Sequence, residues 1–176
     1  MEKDFAKIKN WYALYTKSRH EFIAEKQIEN EGITCYLPTT TQIRKWSDRK
    51  KKITEPLFKG YLFVYATEKE RILAVQITSI IKTIFFNGKP ATIPPNQIES
   101  LKKMLEITND VEVLEKLVEG NRIKVIEGPF KGVEGVVFTI SKNQNMLAIT
   151  VEMLNRSVVV NLPVESVIKK KEGKYL

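Results

Sequence analysis

The chain of 176 residues is long enough for one medium domain or two small ones. Its hydrophobic content of 43% and charged content of 28% are typical of a globular protein and argue against a disordered chain. The formal net charge of +8 favours a polyanionic partner, because lysines and arginines that neutralise phosphates release counterions.

The first half of the chain predicts strands that alternate with helices. The aromatic segment "WYALYT" (11–16) is typical of a buried strand. In "RHEFIAEKQIENEG" (19–32), Phe22, Ile23 and Ile28 fall roughly on one helical face, and Gly32 supplies a C-terminal stop. Residues 33–46 predict a strand limited by Pro38, and residues 47–52 predict a turn or loop tip. Residues 60–66 form the clearest predicted strand of the chain.

The next part predicts two more helices and one strand. Thr67 is a candidate N-cap with Glu70 as its capping-box partner, which predicts a short helix that directs Ile72, Val75 and Ile77 to a core. A strand at 80–86 and a turn at 87–90 precede a helix that follows two prolines. That helix places three apolar residues on one face, namely Ile98, Leu101 and Leu105.

This order predicts an α+β fold, in which helices pack on one antiparallel sheet over residues 1–110. After an acidic segment at 111–119, which we interpret as a linker, residues 120–176 contain only short strands separated by glycines and polar pairs. Such spacing is typical of a small all-β barrel. The β-branched runs in this part favour strands over helices, so we expect the barrel to be stable.

An enzyme, a metal site and a bound cofactor find little support in the sequence. His20 and Cys35 are the single histidine and the single cysteine, so the clusters that bind metals or build nucleophilic dyads are missing. The phosphate-binding motifs G-x-x-x-x-G-K-[ST] and G-x-G-x-x-G are both absent from the sequence. We expect a cytoplasmic protein without a membrane partner. The sequence has a lone cysteine, no signal-peptide pattern and no apolar run long enough to span a membrane.

Two basic clusters are candidate nucleic-acid contacts. Lys17, Arg19 and His20 precede the first predicted helix, whose N-terminus already attracts anions; the alternative is a solvated helix start. The segment 44–52 contains six basic residues and is either a solvated hairpin tip or a contact to phosphates. Its candidate contact residues are Arg49, Lys50, Lys51 and Lys52.

Aromatic residues are candidates for a docking surface. In a strand, Tyr61, Phe63 and Tyr65 point to one face, whereas Leu62 and Val64 point to the other. If Leu62 and Val64 face the helices, the aromatic rings line the opposite face of the sheet. That face is either an open surface for a protein or nucleic acid, or is covered by another part of the chain.

A glycine-rich segment, "EGPFKGVEG", predicts a tight hairpin between two strands of the barrel. Its glycines permit close turns, and its proline presets one. The phenylalanine is either exposed at the tip or closes the end of the barrel. The residues concerned are Gly128, Pro129, Phe130, Gly132 and Gly135.

Three segments together resemble the NusG family of transcription elongation factors. They are "WYALYTKSRHE", "PLFKGYLFVY" and "GNRIKVIEGPFKGVEGVV", in the family's order and spacing over nearly the whole chain. The last contains the glycine-rich pattern of a KOW domain, while the first two resemble the NusG N-terminal domain. "KWSDRKKKI" resembles specialised members of the UpxY type, which act on polysaccharide operons, and Lys59 stands where proline is commonest.

The resemblance implies a binding protein that promotes processive elongation and antitermination. Its N-terminal domain would dock on the β′ clamp helices of RNA polymerase through an apolar surface. The matching residues are Tyr15, Tyr61, Phe63, Ile84 and Ile93. Lys17, Arg19 and His20 match positions that face the non-template DNA strand in specialised members, and Arg71–Ala74 occupies the place of a second polymerase contact.

The resemblance leaves three alternatives open. The chain is a specialised factor for selected operons, the housekeeping factor that couples polymerase to termination factor Rho or the ribosome, or a KOW-containing module that binds RNA or the ribosome. The KOW domain would bind Rho or a ribosomal protein, and the basic segments would bind the non-template strand or nascent RNA.

Overall fold

The computed structural model describes residues 8–45, 50–141, 144–163 and 166–170. The chain divides into two compact units, residues 1–95 and 96–176. The sequence-based boundaries, with a linker at 111–119, stay a prediction.

The first unit is built on a five-stranded sheet in the order β2-β5-β1-β6, with β9 also paired to β1. All these pairs are antiparallel, as predicted. Two separate hairpins, β3–β4 and β7–β8, form two-stranded sheets of their own. The elements are β1 (Asn10–Thr16), α1 (Glu21–Asn30), β2 (Thr34–Tyr36), β3 (Thr39–Lys45), β4 (Lys50–Pro56), β5 (Tyr61–Ala66), α2 (Glu68–Val75), β6 (Ile80–Thr83), β7 (Phe85–Phe86), β8 (Lys89–Pro90) and β9 (Thr92–Ile93).

The helices α1 and α2 contribute to the core through small residues. Ala24 and Ala74 are fully buried in the same cluster as Leu14 and Leu62. Alanine lets a helix backbone approach the sheet closely, so the buried stripe runs through these positions, and on α1 also through Ile28.

The predicted apolar faces of both helices were therefore partly wrong. Phe22 and Ile23 are exposed on α1, although Ile28 is buried as expected. On α2, Ile72 is exposed, while Val75 and Ile77 pack partly buried against the core cluster. Hydrophobic spacing alone gave too much weight to the large side chains.

The start of α2 confirms the predicted capping box. The Glu70 N–H donates to Thr67 Oγ1 at 3.3 Å, and the Thr67 N–H donates to Glu70 Oε2 at 2.7 Å. Two backbone donors that the helix leaves unpaired are thereby satisfied.

Two predicted strands are each divided in the structure. The segment 33–46 contains β2 and β3, separated by Leu37 and Pro38. The segment 80–86 contains β6 and β7, and Ile84 lies between them. Proline lacks the N–H that a continuous ladder needs, which accounts for the first break.

Over its described residues, the second unit contains one α-helix and a six-stranded antiparallel sheet in the order β10-β14-β13-β12-β11-β15. Residues 112–114, within the predicted linker, form its edge strand β10. The strands predicted in residues 120–176 are confirmed. The predicted fold classes, α+β for the first part of the chain and all-β for the last, are therefore also confirmed. The elements are α3 (Pro95–Ile107), β10 (Glu112–Leu114), β11 (Asn121–Glu127), β12 (Glu134–Ser141), β13 (Gln144–Val151), β14 (Arg156–Leu162) and β15 (Val167–Lys170).

The helix α3 buries Ile98 and Leu101 as predicted, but the third buried apolar residue is Met104, and Leu105 is only half-buried. The Ser100 hydroxyl accepts a 3.0 Å hydrogen bond from the Glu134 N–H of β12. In the described part of the chain, no helix is long and apolar enough to cross a membrane.

Candidate functional site

Aromatic residues of β1 and β5 share one face of the first sheet, except for Tyr12 of β1, which points into the core cluster. The antiparallel register places Tyr15 opposite Tyr61 and Ala13 opposite Phe63. Leu62 and the neighbouring Val64 point the other way, into the core cluster beneath α1 and α2. The predicted alternation of this strand is therefore confirmed.

The members of this aromatic face differ in accessibility. Tyr15 and Tyr61 are half-buried, and their ring centroids lie 5.2 Å apart. Phe63 is fully buried, with its ring 5.9 Å from that of Phe58, and Ile93 is also buried. The contact roles predicted for these residues stay predictions, but of these four residues only the tyrosine pair is left accessible to a partner.

A turn before β5 holds this tyrosine pair in place. The Tyr61 N–H donates to the Phe58 carbonyl at 3.0 Å, and Gly60 has φ +80°, as in a type II turn. A Cβ on Gly60 would lie 2.9 Å from Tyr15 Cε2, so the ring packs directly on the glycine backbone. Gly60 also donates its N–H to Glu21 Oε1 at 2.7 Å.

The predicted basic cluster lies in the loop between β1 and α1. Lys17 and Arg19 are exposed, whereas His20 is half-buried, with Nδ1 3.3 Å from Ser79 Oγ. The Lys17 N–H donates to the Ser79 carbonyl at 2.9 Å, which ties the loop to the residue before β6. Arg19 adopts φ +61°, a conformation that costs a non-glycine residue about 1 kcal/mol. The loop is thus a fixed feature that presents two cations to solvent.

The second basic segment forms an exposed two-stranded ribbon, β3–β4. Lys50, Lys51 and Lys52 are exposed, and Lys52 lies opposite Ile43, which is 70% exposed. Successive strand residues point to opposite faces, so the lysines make both faces of the ribbon basic. Arg49, the fourth predicted contact of this segment, lies outside the described residues.

The turn predicted at 87–90 closes a short hairpin that adds two exposed aromatic residues, which sequence reasoning had not named as contacts. Phe85 and Phe86 form β7 and are 56% and 57% exposed. Asn87 and Gly88 connect β7 to β8 with φ values of 49° and 74°. An Asn-Gly pair between two short strands is a strong hairpin signal. The hairpin is too short to bury both phenylalanines of β7. Ile84, the predicted contact just before it, is half-buried and donates its N–H to the Ala13 carbonyl at 2.9 Å.

The segment Arg71–Ala74 divides into structural and exposed residues. The Arg71 guanidinium is buried, donates to Thr83 Oγ1 at 2.7 Å and forms an ion pair with Glu68. The hydrogen bond that the Arg71 side chain donates to Glu68 lowers the pKa of the Glu68 carboxyl below its usual value. Ile72 and Leu73 are exposed, so α2 presents an apolar surface at the place of the second predicted contact.

The glycine-rich turn of the second unit has the geometry that its sequence predicts. Gly128 and Gly132 have φ values of 97° and 87°, which glycine adopts without strain. A Cβ on Gly135 would lie 2.4 Å from the Ala148 carbonyl oxygen, so this glycine permits a close approach of β12 and β13. Phe130 is buried, while Pro129 beside it is exposed. Of the two alternatives for the aromatic ring, burial fits the one in which it closes the core.

The site has no features of a metal centre. Among the residues that the structure describes, no three histidine, cysteine, aspartate or glutamate side chains come together in a way that could hold an ion. Burial raises the pKa of the Cys35 thiol to about 12, so this cysteine is an unreactive thiol at neutral pH.

Comparison with known proteins identifies relatives over almost the full length. The family model described as "Transcription termination factor nusG" matches residues 9–102. The transcription termination/antitermination protein NusG of Staphylococcus carnosus is 25% identical over 92% of this chain and 96% of its own length. The corresponding protein of Haemophilus influenzae is 25% identical over 88% of this chain and 90% of its own.

A solved structure has the same fold. The structure of Thermotoga maritima NusG aligns with a TM-score of 0.50 at 22% identity, and the alignment covers 95% of this chain and 99% of that one.

Proposed function

The chain belongs to the NusG family, whose members are non-enzymatic transcription factors, and on that premise we propose that it regulates elongation by docking on RNA polymerase. Family membership also confirms the prediction that the protein is not an enzyme. The observation that carries the proposal is the half-exposed Tyr15–Tyr61 pair, which a rigid turn holds on one face of the sheet. Rigid aromatic side chains anchor protein interfaces because they bury a large area at a small entropic cost.

The proposed docking surface consists of Tyr15, Tyr61, Ile84, Phe85 and Phe86. Ile84 lies beside β1, and the hairpin that follows it adds exposed apolar area next to the tyrosine pair's strand. Phe63 and Ile93, the other two predicted contacts, are buried and are therefore left out of this surface. Its partner is the β′ clamp-helix element of the polymerase, and a factor that binds there acts in the cytoplasm.

Nucleic acid is the second proposed partner. Lys17 and Arg19 contact the non-template strand from the rigid loop before α1, and His20 assists from its half-buried position. The β3–β4 ribbon, together with the predicted contact Arg49, binds phosphates of DNA or nascent RNA without reading sequence. The first contact uses a loop whose backbone is hydrogen-bonded to Ser79, whereas the second requires only charge.

The second unit recruits a further partner, either Rho or a ribosomal protein, through a KOW domain at 120–176. Within the family, we place the protein among the specialised factors that act on selected operons such as polysaccharide clusters. The basic segment 44–52 favours this over the housekeeping role, since it resembles the specialised members. Deletion of the gene tests this choice: loss of a specialised factor silences one or a few long operons, whereas loss of the housekeeping factor disturbs transcription broadly.

A pull-down with core RNA polymerase tests the docking surface. Tyr61→Ala and Phe86→Ser should each reduce retention of polymerase. Tyr65→Ala is the matched control, because Tyr65 lies on the same strand and face but pairs with Trp11 at the far end. If Tyr61→Ala binds polymerase as the wild type does, docking through this face is wrong. A module that binds only RNA would instead lose affinity mainly through Lys50–Lys52.

A further inference from the structure

Glu21 is a buried carboxylate to which the proposed function has so far given no role. It is the first residue of α1, is 5% exposed and accepts the Gly60 N–H at 2.7 Å. Burial of an ionised carboxylate is unfavourable unless hydrogen bonds compensate for the lost water. A hydrogen bond to a charged acceptor is about twice as strong as a neutral one, which makes this contact a strong local restraint.

The contact joins two segments that are far apart in sequence. Gly60 donates its N–H to Glu21 and accepts the Thr16 N–H at its carbonyl, at 2.8 Å. Thr16 ends β1 and directly precedes Lys17, while Glu21 ends the same basic loop. One glycine backbone therefore holds both ends of the loop that runs from 17 to 20.

The same glycine is the surface on which Tyr15 rests. Its Cα lies so close to the Tyr15 ring that a Cβ would overlap Cε2, and the ring in turn packs on Tyr61. A shift of Gly60 would move the tyrosine pair. The Glu21 carboxylate is thus connected to the aromatic surface through Gly60 and to the basic loop through its own position in the chain.

We propose that Glu21 is a positioning residue that fixes the Tyr15–Tyr61 pair relative to Lys17 and Arg19. This inference rests on the proposed function, because it assigns both surfaces to one macromolecular complex. The carboxylate sets the distance between apolar docking and nucleic-acid contact, so that both are made at once. Its location in the first turn of α1 is itself favourable for an acidic side chain.

Two conservative variants separate the reach of this side chain from its charge. Glu21→Gln keeps the length and an oxygen that accepts the Gly60 N–H, but removes the charge. Glu21→Asp keeps the charge, but is one methylene too short for the 2.7 Å contact. Ile28→Val is the stability control, because Ile28 is fully buried on the same helix, in the core cluster with Leu14 and Leu62.

The experiment combines amide hydrogen exchange of Gly60 in the free full-length protein with affinity for a polymerase elongation complex. Glu21→Gln should keep the Gly60 amide protected and bind within about threefold of wild type. Glu21→Asp should lose that protection and bind about tenfold more weakly, the loss expected for one charge-assisted hydrogen bond. Ile28→Val should lower the melting temperature and leave affinity unchanged.

Three results would overturn the inference. Wild-type affinity for Glu21→Asp with an unprotected Gly60 amide would show that the contact does not position the surface. Weakened binding by Glu21→Gln together with wild-type binding by Glu21→Asp would show that charge, and not reach, matters. If affinity falls in proportion to melting temperature in all the variants, Ile28→Val included, Glu21 acts only as a stabilising residue. Tyr61→Ala, measured in parallel, separates the failures: if it also binds as wild type, the docking proposal falls with the inference.

Discussion

Substitution of Gly60 by alanine should destabilise the first unit through two separable effects. An L-residue at φ +80° costs about 1–2 kcal/mol, and the added Cβ, 2.9 Å from Tyr15 Cε2, adds about 1–3 kcal/mol of overpacking. The free energy of unfolding should therefore fall by about 2–5 kcal/mol.

Gly32→Ala is the matched control for this substitution. Gly32 has φ +72°, but a Cβ there would meet no atom within 4 Å. Its replacement should cost only the conformational term of about 1–2 kcal/mol. The entropy that alanine removes from the unfolded chain is common to both substitutions and cancels in the difference.

A double-mutant cycle assigns the excess to the Tyr15 ring. In a Tyr15→Ala background, Gly60→Ala should cost no more than Gly32→Ala, because the overlapping atom is gone. Urea unfolding followed by tryptophan fluorescence measures these values, and both tryptophans, Trp11 and Trp46, lie in the first unit. If the two alanine substitutions cost the same in the wild-type background, the proposed packing of Tyr15 on Gly60 is refuted.

Three further predictions concern the same unit. Glu68→Gln should make the free energy of unfolding less dependent on acid pH. Arg71 lowers the pKa of Glu68 in the folded protein, so the stabilisation from this carboxylate is present above the unfolded pKa of 4.5 and is lost as pH falls through the folded pKa. Unfolding at pH 7 and at pH 3 measures this difference. Replacement of Lys50–Lys52 by alanine should reduce the slope of log affinity for duplex DNA against log salt by about 2 to 3, and an unchanged slope in a salt titration would exclude the ribbon from phosphate contact. Lys59→Pro should raise the free energy of unfolding by about 0.4–1 kcal/mol, since the second position of a type II turn has a φ that proline adopts; a loss of stability would contradict this turn assignment.

The strands and the α2 cap were predictable because they depend on local signals. Alternation in 60–66 assigned Leu62 and Val64 to the core, and Thr67 with Glu70 gave the capping box. These features require only residues within a few positions of one another. They hold whatever the rest of the chain does.

The buried polar residues were not predictable, because their partners are distant in sequence. Arg71 is buried where a helical pattern calls for an apolar residue, and Thr83, twelve positions away, makes that burial possible. Glu21 is buried because Gly60, 39 positions away, donates to it. Neither partner is identifiable from periodicity, which reports average hydrophobicity and not the pairing of individual donors and acceptors.

The segment "PLFKGYLFV" shows why a family motif and a structural constraint coincide. The sequence resemblance rests partly on these residues, and the structure makes them the turn that seats Tyr15, orients Tyr61 and receives the Glu21 hydrogen bond. The glycine is required twice over, by its left-handed backbone and by the ring that packs on it, whereas any residue except proline would supply the N–H that Glu21 accepts. Lys59 is under no such requirement, because the preceding turn position accepts any residue with an ordinary φ. The departure from the family pattern at 59 is therefore compatible with the fold, whereas a change at 60 would alter the aromatic surface and the basic loop together.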